Sequence, residues 1–122
     1  MATSQIYANT ETGGGTLAVS GTSTYYSKAF SARDGQPVSV HLEWTGTPTG
    51  TFTLWYSNKE APGTANDNDW VQDTTFVASN PAGSASKAFH TIGNLAAKRV
   101  RLKYVNASGS GTIVGFATIA RH

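Results

Sequence analysis

Between Pro37 and Trp44 the chain alternates without interruption, with Val38, Val40, Leu42 and Trp44 on one side and Ser39, His41 and Glu43 on the other. A period of two sustained over that length is the pattern of an extended strand with one buried and one wet face, and no helix reproduces it. Pro37, which lacks an N–H, suits the first position of such a strand, and Arg33-Asp34-Gly35-Gln36 supplies a turn before it. The segment Thr24–Ser31, with Tyr26 and Phe30 on one face and Tyr25 and Ser27 on the other, is expected to pair with Pro37–Trp44 as a hairpin.

The same pattern recurs down the chain. After the turn Thr45–Gly50, Phe52, Leu54 and Tyr56 alternate with Thr51, Thr53, Trp55 and Ser57. Trp70–Val77 and Ser86–Ile92 read as further strands, joined by the Asn80–Ser84 turn. In Arg99–Tyr104 the inward residues are Val100, Leu102 and Tyr104, and Asn106–Gly111 is expected to make a hairpin turn into a last strand, Thr112–Ala120. With Ile6–Ala8 and Thr16–Ser20 the total is eight or nine short strands separated by turn signals, the signature of a sandwich or barrel. A turn around Gly93–Lys98 is the sole helical candidate, and Gly13-Gly14-Gly15 reads as a loop.

Composition agrees, with 17 Thr, 12 Ser and 13 Gly against three Glu, a mixture poor in helix formers. The fold expected is therefore all-β, an antiparallel, jelly-roll-like β-sandwich in which residues 1–122 form one domain. The stretch Asn58–Asp69 has no apolar period and reads as a long surface loop, a type of segment that often carries function.

Chemistry is sparsely signalled. Cysteine is absent, which removes thiol catalysis, thiolate metal ligands and disulfides. There is no G-x-S-x-G, H-E-x-x-H or G-x-x-x-x-G-K-[ST] pattern, and the histidines are His41, His90 and His122. The oxygen-rich run Asn66-Asp67-Asn68-Asp69 lacks the spacing of a calcium loop and reads as solvated turn residues. No catalytic residue, metal ligand or cofactor is expected. Nine Lys and Arg against seven Asp and Glu leave a net charge of +2, too small an excess to argue for direct nucleic-acid binding. The first residues have neither a basic nor an apolar signal region, and no run is long enough for a membrane span, so a complete, soluble, unprocessed product is expected.

Two features stand out as candidate contacts. Period two places Arg99, Arg101 and Lys103 on one strand face, where three like charges repel unless something compensates them. The stripe is either a solvated face or an anion-seeking patch. Trp55, opposite Phe52 and Leu54, is either part of a second core or a subunit contact.

Gly50-Thr51-Phe52-Thr53-Leu54-Trp55-Tyr56-Ser57-Asn58 followed by Asp69-Trp70, and Arg99–Asn106 followed by Ser108-Gly109-Ser110-Gly111-Thr112, resemble phrases found in small structural proteins of tailed bacteriophages. The resemblance spans residues 37–122. It implies a β-sandwich carried in the virion as a capsid decoration, cement or tail accessory protein. It also implies a homo-oligomer, a trimer in the first place, that contacts the major capsid protein or other virion proteins. The same phrases are similar to those of discoidin-like carbohydrate-binding modules, which leaves sugar binding as the alternative.

Overall fold

The computed structural model describes residues 2–7, 16–32, 37–76, 79–92 and 97–119. The strands are β1 (Ala2–Tyr7), β2 (Leu17–Ser20), β3 (Thr24–Tyr26), β4 (Phe30–Ala32), β5 (Val38–Gly46), β6 (Thr49–Ser57), β7 (Val71–Gln72), β8 (Ser86–Ile92), β9 (Ala97–Ser108) and β10 (Ser110–Ile119). They form two antiparallel sheets. In the first, β1 and β2 share one position beside β10, followed by β5 and β8. In the second, β3 and β4 share a position beside β9, followed by β6 and β7.

The alternation read from the sequence fixes which side of each strand faces the other sheet. Val38, Val40, Leu42, Trp44, Ile113 and Ala117 from the first sheet meet Phe52, Leu54, Val100, Leu102 and Tyr104 from the second in one buried core. Burial of a Leu or Phe side chain of this kind contributes about 1.5–3 kcal/mol. Phe52 links the layers, with ring centroids 6.1 Å from Trp44 and 4.7 Å from Tyr104.

Two expected hairpins are instead crossovers. The segments Thr24–Ser31 and Pro37–Trp44 lie in opposite sheets, since β3 and β4 pair with β9 while β5 pairs with β10 and β8. Likewise β9 and β10, on either side of Gly109, belong to different sheets. Alternation demands only that apolar faces meet, and two strands meet that demand across a core as readily as side by side.

The remaining differences are local. The strand expected over Trp70–Val77 is confined to Val71–Gln72, because Asp73 Oδ1 accepts the backbone N–H groups of Thr75 and Phe76 and turns the chain away from the sheet. Val77 lies outside the described residues. So do Gly13–Gly15, the Arg33–Gln36 turn, Ala8, Ala120 and Gly93–Ala96 of the expected helical turn, whereas Ala97 and Lys98 already belong to β9. The helical piece among the described residues is a 3-10 turn at Asp67–Asp69, inside the long loop.

Candidate functional site

The loop that leaves β6 and returns at β7 folds back over the outer face of the second sheet. That face is made by register: Trp55 lies opposite Arg101, and Lys103 lies between Thr53 of β6 and Tyr26 of β3. The cations of β9 therefore emerge among aromatic rings, and the loop closes over them.

Arg101 is the centre of the arrangement and has no exposed surface. Its guanidinium carbon is 4.7 Å from the ring centroid of Tyr26, 5.0 Å from Trp55 and 4.9 Å from Trp70. Nη1 donates to Thr64 O at 2.6 Å and Nη2 to Asp67 Oδ1 at 2.5 Å. Lys103 Nζ donates to the other oxygen of the same carboxylate, at 2.6 Å, and lies 5.2 Å from the Trp55 centroid. Hydrogen bonds from Arg101 and then Lys103 hold the Asp67 carboxyl below its ordinary range. Arg101 Nε is, among the described residues, a buried nitrogen with no hydrogen-bond partner.

The loop reaches this position because its own turns are satisfied. Asn66 caps the 3-10 turn by accepting the Asn68 N–H. Asp69 accepts the Gly63 N–H at 2.9 Å and Lys59 Nζ at 2.7 Å, and Lys59 followed by Gly63 is what lowers its pKa. Trp70 Nε1 donates to Gly63 O at 2.9 Å, so the ring that covers Arg101 also ties the loop to itself. Lys98 pairs with Glu60 and donates its backbone N–H to Asn58 Oδ1, which fastens the start of the loop to β9.

Of the four side chains expected to make contacts, the structure brings together Trp55, Arg101 and Lys103. They do not form an open cationic stripe: of the two readings of the stripe, the solvated face fails at Arg101, which is fully covered. Asp67 and the rings of Tyr26, Trp55 and Trp70 supply the compensation that Arg101 and Lys103 require. Arg99 stands apart, with Nη1 donating to Ser31 Oγ at 3.1 Å and to Lys98 O at 2.8 Å. Trp55 is half-buried as part of the cluster, and its Nε1 donates to Thr53 Oγ1 at 2.8 Å.

Asp67 and Tyr26 were not legible as members of the site. Asp67 sits 34 residues from Arg101 along the chain in a run of turn formers, and only its acidic character against an uncompensated cation stripe pointed there. Beside the cluster, an open hollow of about 410 Å³ lies between Tyr56, Asn58, Asn68, Trp70 and the exposed Val71. Tyr56 at its edge donates to Asp73 Oδ2, and burial together with that carboxylate pushes its hydroxyl far up.

These sheets and their strand order define a jelly-roll β-sandwich, whose long loop is bolted to one outer face by an arginine set among aromatic rings. No family model matches the sequence, and the comparison with curated proteins finds no relative. Among solved structures the chain is similar to one described as Eiger TNF from S. frugiperda, at 13% identity and a TM-score of 0.44, over 98% of this chain and 93% of that one.

Proposed function

We propose that the protein is a non-enzymatic virion structural protein of a tailed bacteriophage. It acts as an auxiliary capsid decoration or cement protein that forms a homo-oligomer, a trimer in the first place, and binds the major capsid protein. Its place is then the virion, after synthesis in the host cytoplasm.

The observation that carries this reading is the fixed loop. A long irregular segment normally stays mobile, and ordering it on binding costs about 0.5–1.5 kcal/mol for each immobilised side chain. Here Asp67, Asp69 and Trp70 order residues 58–70 in the free chain, so the loop is preorganised for contact with a partner. The phrases that resemble those of phage structural proteins support the same reading, since they fall on β6 and on the β9–β10 crossover. Many equivalent, modest contacts on a symmetric shell add up by multivalency.

The test is whether the protein's peptides are found by mass spectrometry in gradient-banded tailed phage particles released from cells carrying this gene, at a copy number comparable with a shell component. Their absence from banded particles would overturn the reading. The hollow beside Asn58, Asn68 and Tyr56 favours a second reading, a carbohydrate-binding module, because side-chain amides next to an aromatic edge suit a sugar's hydroxyls. Saturable binding on a glycan array, lost on Asn68→Ala, would support that alternative.

A further inference from the structure

The outer side of the first sheet, opposite the core, carries a grid set by strand register. Phe89 of β8, His41 of β5 and Phe116 of β10 lie in one row, and Lys87, Glu43 and Val114 lie in the next. His41 touches both phenylalanines edge-on, with ring centroids 6.1 Å away in each case. Its Nε2 is 2.8 Å from Glu43 Oε2, within the same strand. Phe89, on the edge strand β8, is 67% exposed, and with the half-buried Phe116 and Val114 it makes this outer face partly apolar. Lys87 and Glu43 cancel, so the grid attracts neither nucleic acid nor an acidic surface.

We propose that this face is where a second copy of the chain docks, about a two-fold axis that runs across the strands between the two rows. The inference rests on the reading of the protein as a self-assembling shell component and adds a two-fold contact, distinct from the three-fold contact of a trimer. Such an axis lays each row on the other. His41 of one copy meets Glu43 of the second, Phe116 meets Val114, and Phe89 lies against the stem and ammonium of Lys87. Every contact made this way is complementary: an imidazole with a carboxylate, apolar with apolar, an aromatic face with a cation. A two-fold axis along the strands would set Glu43 against Glu43 and is disfavoured.

Size gives the expected strength. With strands about 4.8 Å apart and residues about 3.4 Å apart, two rows of three residues on three strands cover on the order of 200 Å². A stable complex buries about 800 Å² on each partner, so this contact is weak by itself and is multiplied where many copies are held together.

The experiment is light scattering of the full chain over a concentration series up to about 1 mM, the range in which so small an interface is populated. The mass found at the lowest concentration, 12.8 kDa for a single chain or about three times that for a trimer, is expected to rise towards twice its value. Phe89→Lys sets an ammonium against Lys87 of the second copy and is expected to weaken association at least about tenfold. Adding Lys87→Glu restores opposite charges and should recover most of the loss, whereas Val105→Lys, an exposed apolar site on the other sheet, should change nothing. Thermal melts establish that each variant is folded. A wild-type mass that does not change with concentration overturns the inference. Self-association insensitive to Phe89→Lys overturns the surface while leaving the assembly reading intact. Failure of the double variant to recover overturns the pairing of the rows. Absence from phage particles, by contrast, bears on the assembly reading alone.

Discussion

Asp67 is half-exposed while the guanidinium it holds is fully covered, and that asymmetry decides which of the two matters more to stability. Removing the carboxylate leaves Arg101 buried with Thr64 O and three ring faces as its remaining partners. A buried charge deprived of its counter-ion costs about 3–5 kcal/mol, so Asp67→Ala should destabilise by about 3 kcal/mol. Removing the cation is gentler. Arg101→Met puts a flexible apolar chain between Tyr26, Trp55 and Trp70, deletes the unpartnered Nε, and leaves Asp67 paired to Lys103 and water. Its cost is expected to stay within about 1 kcal/mol, as when a buried ion is replaced by an apolar chain of similar volume. Urea unfolding of the two variants checks the order. A larger loss for Arg101→Met than for Asp67→Ala would mean that cation–π contact outweighs desolvation here. His41 and Glu43 form the opposite case, a pair exposed on both sides, where deletion should change stability by less than about 1 kcal/mol.

At the scale of elements, the corner where β5 passes to β6 lies against the corner where β9 passes to β10. Gly109, at φ 75°, sits so close to the first corner that a Cβ would fall 1.9 Å from Thr47 O. Asn106, fully buried, binds the second corner by donating Nδ2 to Gly109 O and to Gly21 O, and it accepts the hydroxyl of Tyr104. Burial, and after it the neighbouring Tyr25, raises the Tyr104 pKa and keeps that hydroxyl a donor. Gly109→Ala therefore meets both a disfavoured left-handed backbone conformation and a backbone clash, and is expected to cost more than about 3 kcal/mol or to prevent folding, read by circular dichroism melts. A melt within a few degrees of wild type would show that the corner yields. The strands themselves were legible because β5, β6 and β9 each bury one side, and period two records that directly. Partner choice was not legible: the Gly-rich run Ser108–Gly111 marks a bend whether the chain pairs with itself or crosses to the other sheet. The cluster was half legible, since the alternation of Arg99, Arg101 and Lys103 announced an uncompensated stripe, while the compensating Asp67 came from a loop whose sequence records turns and no destination.

For the molecule as a whole, three carboxylates with lowered pKa values lie in one stretch, and this gives acid a local target. Asp67 is lowered by Arg101 and Lys103, and Asp69 by Lys59 and the Gly63 N–H. At Asp73 burial pushes upward, but hydrogen bonds from Tyr56, Thr75 and Phe76 outweigh it and the net shift is down. Each of these groups binds its proton less readily folded than unfolded. Its stabilisation is therefore complete above the unfolded value of about 3.9 and is lost as pH falls through the lower folded value. Stability linked to them should be flat from neutral pH to about 5 and then decline below about 4. The sandwich is held by Val38, Leu54, Leu102, Ile113 and their neighbours, which do not titrate. Acid should accordingly detach the segment 58–76 before it dissolves the sheets. Trp55 and Trp70 report the first event through their fluorescence, because both rings rest on Arg101, and far-ultraviolet circular dichroism reports the second. The expected result is a fluorescence transition at higher pH than the loss of strand signal, and a smaller fluorescence transition in Asp67→Ala, where only Asp69 and Asp73 still link the loop to pH. Coincident transitions in the wild-type protein would mean that the loop and the sandwich are one cooperative unit, and that the arginine set among the rings belongs to the fold as fully as the apolar core does.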